Sequence, residues 1–445
     1  MTSARKRIWG WYFFDWASQP YNTLLLTFIF GPYITQVIGD GTEAQAIWGY
    51  GIALAGVLIA IFSPILGAIA DNARGQMPFI WLFSIMYVVG AWGLWLAHPD
   101  DMNIWTVMIF FGIGLIGMEF ATNFTNALMP DLGPAEDMGR ISGSGWAFGY
   151  IGGVLALVVM LVLFDDSAGG KTLIGIDPIL GLDSAEREGT RAVGPLTAIW
   201  YIVFMIPFFL WVKEPKRRGM PVLTAARRAV PDLMGTLRSL PARQSLFAYL
   251  MSSMFYRDAL NGMYTFGGIY AAGMLGWQPI QMGVFGILAA LTGALFAWLG
   301  GHADSARGPK PVIAFCLIVL TLVALGIVFV SREAVFGMPV GPDSALPDIA
   351  FYVLGGLIGA AGGALQSSSR TMMIRQSDPD RMNEAFGLYA LTGKATSFLA
   401  PLLIAIVTDI SGSQRIGITP LIALFLVGLF LLAWVHPDGT RRAGR

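Results

Sequence analysis

Residues 67–78 read GAIADNARGQMP and residues 300–311 read GGHADSARGPKP. At a constant offset of 233, seven of the twelve positions agree: Gly67/Gly300, Ala70/Ala303, Asp71/Asp304, Ala73/Ala306, Arg74/Arg307, Gly75/Gly308 and Pro78/Pro311. A repeat of this length marks a duplicated unit. Each copy is a short turn after the second long apolar run of its half. A fainter echo at offset 243 pairs Asp15 with Asp258 and Tyr21 with Tyr264.

Outward from these turns the chain is a series of apolar runs. Crossing a bilayer takes about 20 largely apolar residues as a helix. Such runs predict helices at 9–37, 46–70, 79–97, 103–128, 140–164 and 195–212, with a bend expected at Pro20. A second set follows at 245–273, 279–303, 311–330, 348–375, 384–408 and 418–435. The composition agrees: 55% of the 445 residues are hydrophobic, only 13% are charged, and mean hydropathy is +0.64. Too few polar side chains remain to coat a water-soluble surface of this size. The expected architecture is an all-α membrane protein of 12 transmembrane helices, arranged as two six-helix bundles. The expected units are residues 1–212, a basic linker at 213–243, and 244–445.

Lys and Arg concentrate on the cytoplasmic side of membrane proteins. With the N-terminus inside, inner segments hold 20 of them and outer loops 5, the linker alone contributing 8. Both termini are therefore expected in the cytoplasm, in a multi-pass protein of the cytoplasmic (inner) membrane. The basic start MTSARKR has no short apolar stretch with a cleavage site behind it, so it reads as the lead-in to a retained first helix. The linker, proline-punctuated and partly amphipathic, reads as a solvated connector near anionic headgroups.

The duplicated G-x-x-x-D-x-x-R-G turn resembles the signature loop of the major facilitator superfamily, with the Gly-Arg order reversed. The resemblance implies that fold, and a cytoplasmic gate in which Asp71, Arg74, Asp304 and Arg307 bridge helix ends. Three further stretches narrow the resemblance: WGWYFFDWASQPYNT (9–23), NALMPDLGPAEDMGRISGSGWAFGYIGG (126–153) and QSSSRTMMIRQSDPDRMNEAFGLYALTGKATSFLAP (366–401). They are similar to the branch of autophagy-linked vacuolar amino-acid effluxers and their bacterial relatives. In FDWASQP, Asp15, Trp16 and Ala17 match that branch and the following positions depart from it.

Ionisable groups at the centre of a membrane helix cost about 2.5–3.5 kcal/mol each on insertion scales. Six stand in predicted spans: Asp15, Glu119, Arg257, Asp258, Arg370 and Lys394. They should pair or face water. Asp15, Gln19 and Asn22 recur at spacings of four and three and share a helix face, as do Glu119, Asn123 and Asn126. The functional reading is that these stripes line a cavity; the bland one is polar glue between helices. Arg257 and Asp258 project about 100° apart, so each needs a partner on another helix. Asn261 and Tyr264 follow them. Arg370 stands near the cytoplasmic end of its helix, where gate and substrate roles are both open. Acids in the first half and bases in the second would polarise a central cavity. That arrangement suits a zwitterion, a peptide or an anionic solute.

The single cysteine, Cys316, excludes a disulfide framework, and His98, His302 and His436 have no ligand spacing for a metal. The glycine run 143–153 opens a predicted membrane helix with no strand before it, so it reads as a packing face and not a phosphate loop. No catalytic constellation, nucleotide-binding domain or cofactor signature is visible, so neither an enzyme nor ATP coupling is expected. The expectation is a monomeric secondary active transporter of a small amino-acid-like solute, by alternating access. The expected coupling ion is H+, with Asp15 and Glu119 as candidate carriers. The alternatives are an exporter of drugs, lipids or other amphiphiles, and a receptor or scaffold that transports nothing.

Overall fold

A computed structural model describes residues 3–39, 41–73, 75–167, 169–214, 219–277, 279–341 and 343–439. The first half comprises α1 (Ala4–Pro20), α2 (Phe30–Ile38), α3 (Gly41–Asn72), α4 (Met77–Gly93), α5 (Ile104–Ala127), α6 (Met138–Val159), the short α7 (Glu188–Arg191) and α8 (Val193–Trp211). After the linker helix α9 (Val222–Ser239) come α10 (Gln244–Leu275), α11 (Pro279–Arg307), α12 (Pro309–Val328), α13 (Leu346–Gln376), α14 (Met382–Ala395), α15 (Leu399–Ser411), the short α16 (Gln414–Gly417) and α17 (Pro420–Leu432). A two-residue hairpin, β1 (Ala334–Val335) with β2 (Met338–Pro339), closes the loop before α13.

Each predicted span meets a helix within a few residues of its predicted ends. Ten helices among the described residues are long and apolar enough to cross a bilayer. The two spans below that hydropathy are the first of each half: the segment from α1 to α2, and α10. They carry Asp15, Gln19 and Asn22, and Arg257, Asp258 and Asn261, so the polar load itself explains the shortfall.

Two spans are not continuous α-helices. Pro20 lacks the donor that an α-helix needs, and the chain widens behind it into a π-helical stretch, Tyr21–Phe28, before α2 resumes. The eleventh span breaks between α14 and α15, where residues 396–398 form a turn.

Two buried clusters organise the molecule. One runs from Trp11 to Ala225 and the other is built mainly from residues Leu233 to Val435. The first and last described residues share a face with the repeated turns. There Arg7 Nη2 donates to the Asp131 carbonyl, Lys310 Nζ donates to the Val435 carbonyl at 2.7 Å, and the His436 amide donates to Ser245 Oγ at 2.8 Å. On the opposite face, the segment between α6 and α7 wraps a buried Asp166, which accepts from Arg187 Nε at 3.0 Å and from the Gly189 amide at 3.1 Å.

The two copies of the repeated turn reach the next helix differently. Gly308 precedes α12 with φ +84°, a conformation that favours glycine. In the first copy the Glu214 carboxylate accepts from the Gln76 amide at 2.9 and 3.0 Å and from the Met77 amide at 3.2 Å, capping α4. A Cβ on Gly75 would meet Glu214 Oε2 at 2.7 Å, so glycine keeps that cap accessible.

Candidate functional site

At the terminus-bearing face each half presents an aspartate to a helix of the other. Asp71, in the last turn of α3, accepts from the Asn383 amide at 3.1 Å, Asn383 Nδ2 at 2.7 Å and the Glu384 amide at 2.7 Å. It caps the first turn of α14, where unpaired amides and the helix dipole favour an anion. Gly67, one turn earlier, allows the approach: a Cβ there would lie 2.9 Å from the Glu384 Cα. The second copy mirrors this placement against α6. Asp304 is fully buried, a Cβ on Gly139 would stand 2.7 Å from its carboxylate carbon, and the adjacent Ser305 Oγ accepts from the Arg140 amide at 2.9 Å.

Of the two arginines of the repeat, only the second is described, and it makes no bridge of the expected kind among the described residues. Arg74 lies outside the described residues. Arg307 ends α11 exposed to solvent and makes no ion pair among the described residues. At this turn stands Arg375 of α13, which sequence reasoning did not single out: its Nη1 would lie 3.3 Å from a Cβ on Gly308 and is 3.7 Å from Asp438 Oδ1.

One layer deeper, Arg370 of α13 reaches into the first half. Its Nη1 stands 3.3 Å from Asp15 Oδ2 and donates to Asn126 Oδ1 at 3.0 Å. Its Nε donates to Ser142 Oγ at 2.9 Å and its Nη2 to the Ser142 carbonyl at 2.8 Å. The guanidinium also lies over the Trp11 ring at 4.5 Å, and Trp11 is held by its own Nε1–H to the Thr125 carbonyl at 2.8 Å. Four spans thus meet at one buried charge. Its side chain is 4% exposed and that of Asp15 is 15% exposed, so the pair is shielded from water.

Glycines of α6 make room for this knot. A Cβ on Gly145 would fall 2.7 Å from Asp15 Oδ2, one on Gly149 3.2 Å from Asp15 Cβ, and one on Gly153 2.7 Å from Gln19 Cγ. The polar stripe of α1 therefore lies against the glycine face of α6 at Asp15 and Gln19, both half-buried, while Asn22 is half-buried in the π-helical stretch beyond Pro20. The glycine run is a packing face, as expected: Gly145, Gly149 and Gly153 pack the polar stripe, and Gly143 packs α11 at Ala297 and Gly301.

Nearer mid-depth, Lys394 Nζ of α14 donates to Glu119 Oε1 of α5 at 2.7 Å, with about a quarter of each side chain exposed. This is a second acid from the first half joined to a base from the second. On the same α5 stripe, Asn123 Nδ2 donates to Ser63 Oγ of α3 at 3.1 Å, a bond within the first half.

The adjacent pair on α10 splits as their 100° separation requires. Arg257 Nη1 donates to the Tyr389 carbonyl at 2.7 Å, with its guanidinium 3.9 Å from the Tyr389 ring centre. Arg257 has no carboxylate partner among the described residues. Asp258 turns into the second bundle, where its Oδ2 accepts from the Ala400 amide at 2.9 Å and so caps α15 behind the break. Asn261 and Tyr264 are exposed on the face of α10 that carries Arg257. Tyr264 lies opposite Tyr150, whose hydroxyl accepts from Gln366 Nε2 at 3.2 Å, another link between the halves. Ser142, Trp11, Tyr389 and Gln366 were missed by sequence reasoning. They carry no charge, and only their cross-helix contacts mark them.

Residues 36–444 match the family model described as "Vacuole effluxer Atg22 like". The "Uncharacterized MFS-type transporter YxiO" of Bacillus subtilis (strain 168) is 23% identical over 436 residues, covering 96% of this chain and 94% of that protein. "Autophagy-related protein 22" of Cryptococcus neoformans is 22% identical over 310 residues, 68% of this chain. The match spans about half the length of that fungal protein (51%). Among solved structures, the human organic anion transporter MFSD10 (TETRAN) superposes with TM-score 0.69 at 17% identity, covering 97% of this chain and 100% of that one. The major facilitator proton:xylose symporter XylE gives TM-score 0.68 at 11% identity over 98% and 97%. At such identities the likeness is one of fold, and that fold is the major facilitator fold.

Proposed function

From the premise that this chain belongs to the Atg22-like vacuole effluxer family, we propose that it is an alternating-access carrier of small zwitterionic, amino-acid-like solutes. The observation that carries the reading is the set of charge pairs joining the halves, Asp15 with Arg370 and Glu119 with Lys394, beside Arg257, which has no carboxylate partner among the described residues. Each cross-half pair is a contact that a solute's own charges can replace. A solute ammonium competes with Lys394 for Glu119, while its carboxylate is drawn to Arg257. Exposed Asn261 and Tyr264 supply hydrogen bonds at the same level.

In this reading the bundles 1–212 and 244–445 rock about the path, joined by the linker 213–243. The terminus-bearing face is cytoplasmic, in keeping with the excess of Lys and Arg there. The α14 end capped by Asp71 and the close contact of Asp304 with α6 form the closed inner gate. Protons are the coupling ion, with Asp15 as the carrier, because its release from Arg370 and the opening of the gate are one event. The name of MFSD10 supports a second reading, a carrier of organic anions, in which Arg257 and Lys394 both serve a carboxylate.

Purified protein in proteoliposomes tests both. Counterflow of radiolabelled neutral amino acids is expected, and Glu119→Gln should lower it by about tenfold or more, a loss of about 1.4 kcal/mol in solute interaction. Asp15→Asn should abolish pH-gradient-driven uptake and spare exchange. Flux of dicarboxylates with no flux of amino acids would select the organic-anion reading. Full gradient-driven uptake by Asp15→Asn would remove Asp15 as proton carrier.

A further inference from the structure

Helix α9 (Val222–Ser239) has a wider apolar face than the protein covers. Ala225, Ala229, Leu233 and Thr236 are buried, packed on α3. At 100° per residue the next sector of the helix holds Leu223, Val230 and Met234. These are 71%, 53% and 45% exposed, and Val222, in the first turn, is 53% exposed. Beyond the stripe come Arg227 and Arg238, both exposed, and then Arg228. The one acid of the helix, Asp232, accepts from Asn72 Nδ2 at 3.1 Å and is engaged there. The free side of α9 is therefore an apolar stripe bordered by guanidinium groups.

We propose that α9 lies in the bilayer interface at the terminus-bearing face and binds anionic lipid headgroups. Leu223, Val230 and Met234 enter the acyl boundary, and Arg227 and Arg238 pair with lipid phosphates. Two observations commit the stripe to lipid. The helix packs against the end of the membrane-spanning α3, so the leaflet surface is its immediate neighbour. Its combination of an apolar stripe, basic borders and no free acid is the pattern of helices that lie in the headgroup plane. The placement also touches the closed end of the path. Through Asp232 the helix holds Asn72 of α3, and Arg381 Nη1 of the second half donates to Thr236 Oγ1 at 2.9 Å. A lipid-held α9 thus clamps both halves.

The test uses single cysteines at Val230 and Gly235, carrying an environment-sensitive fluorophore, in the otherwise intact protein. The native Cys316 is buried and escapes labelling. Gly235 is on the polar side, with open space for a side chain. In vesicles of phosphatidylcholine with phosphatidylglycerol, lipids carrying a quencher near the carbonyl region should quench the Val230 probe and spare the Gly235 probe. Arg227→Gln and Arg238→Gln should weaken that quenching by roughly fivefold per arginine removed. Arg227→Lys with Arg238→Lys should retain it, which separates lost charge from lost folding. Water-like emission at both positions, or quenching unchanged when phosphatidylglycerol is omitted, would overturn the proposal. None of these readouts requires solute flux, so failure here leaves the carrier proposal standing, and the reverse.

Discussion

Arg370 is the residue on which the most structure converges. A buried ion pair gains little over a well-packed apolar pair, yet removing one partner leaves an uncompensated charge and costs about 3–5 kcal/mol. Asp15→Ala is therefore expected to lower thermal stability more than the double variant Asp15→Asn/Arg370→Gln, which removes both charges. Thermal unfolding of the detergent-purified proteins checks the order, and equal loss in the two would mean that the pair contributes no coupling. Gly145 gives an independent probe. Gly145→Val would drive side-chain atoms into Asp15 Oδ2 and the Trp11 ring, so it should abolish solute counterflow, while Gly112→Ala, where the added carbon meets nothing, should not. At this scale the sequence exposed the costly groups because lipid penalises charge wherever it stands. It did not show which acid meets which base, since pairing depends on helix rotation and crossing, which no local spacing encodes. Arg257 illustrates the gap: its partners are a backbone carbonyl and a ring, neither of which has a sequence signature.

The spans themselves were legible, because apolar length is a direct consequence of bilayer thickness. Their interruptions were legible only in part. Pro20 announced the change of helix geometry at Tyr21–Phe28, whereas Thr396, Ser397 and Phe398 contain no breaker. The turn there is stabilised from outside, by the Asp258 carboxylate at the start of α15. Asp258→Ala should remove that cap at a cost of about 0.5–2 kcal/mol. The damage should be local: hydrogen–deuterium exchange is expected to rise in α15 and to stay unchanged in α6. Uniform acceleration across both bundles would show that Asp258 supports the whole fold. The amphipathic character of 213–243 was visible in the linker sequence, but its continuous helix across Pro231 was not, because a proline in mid-helix argues against one.

For the whole molecule, the described polar links between the halves lie from the terminus-bearing face to about mid-depth. Asp71→Asn keeps the shape of the α14 cap and weakens its charge-assisted bonds, so the closed end should open more often. Spin labels on α3 and α14 at that face should show a longer-distance population in pulsed electron resonance. An unchanged distance distribution would mean that Asp71 does not hold the gate. The two copies of the repeat also carry unequal duties: Asp71 is a fully bonded cap, while Asp304 is buried against Gly139 of α6. The duplication was plain from the offset of 233, yet this division of labour is written in neighbouring helices and not in the repeat itself.

The cross-half pairs have a bioelectric corollary. Asp15 is matched by Arg370 and Glu119 by Lys394, and Arg257 stands next to Asp258 on α10, so these six ionisable groups of the spans sum to zero in the unloaded carrier. Moving one unbalanced elementary charge through a membrane potential changes the energy by about 2.3 kcal/mol per 100 mV. The return stroke of the empty carrier should therefore be indifferent to voltage. Any current recorded on solid-supported membranes should belong to the loaded stroke alone.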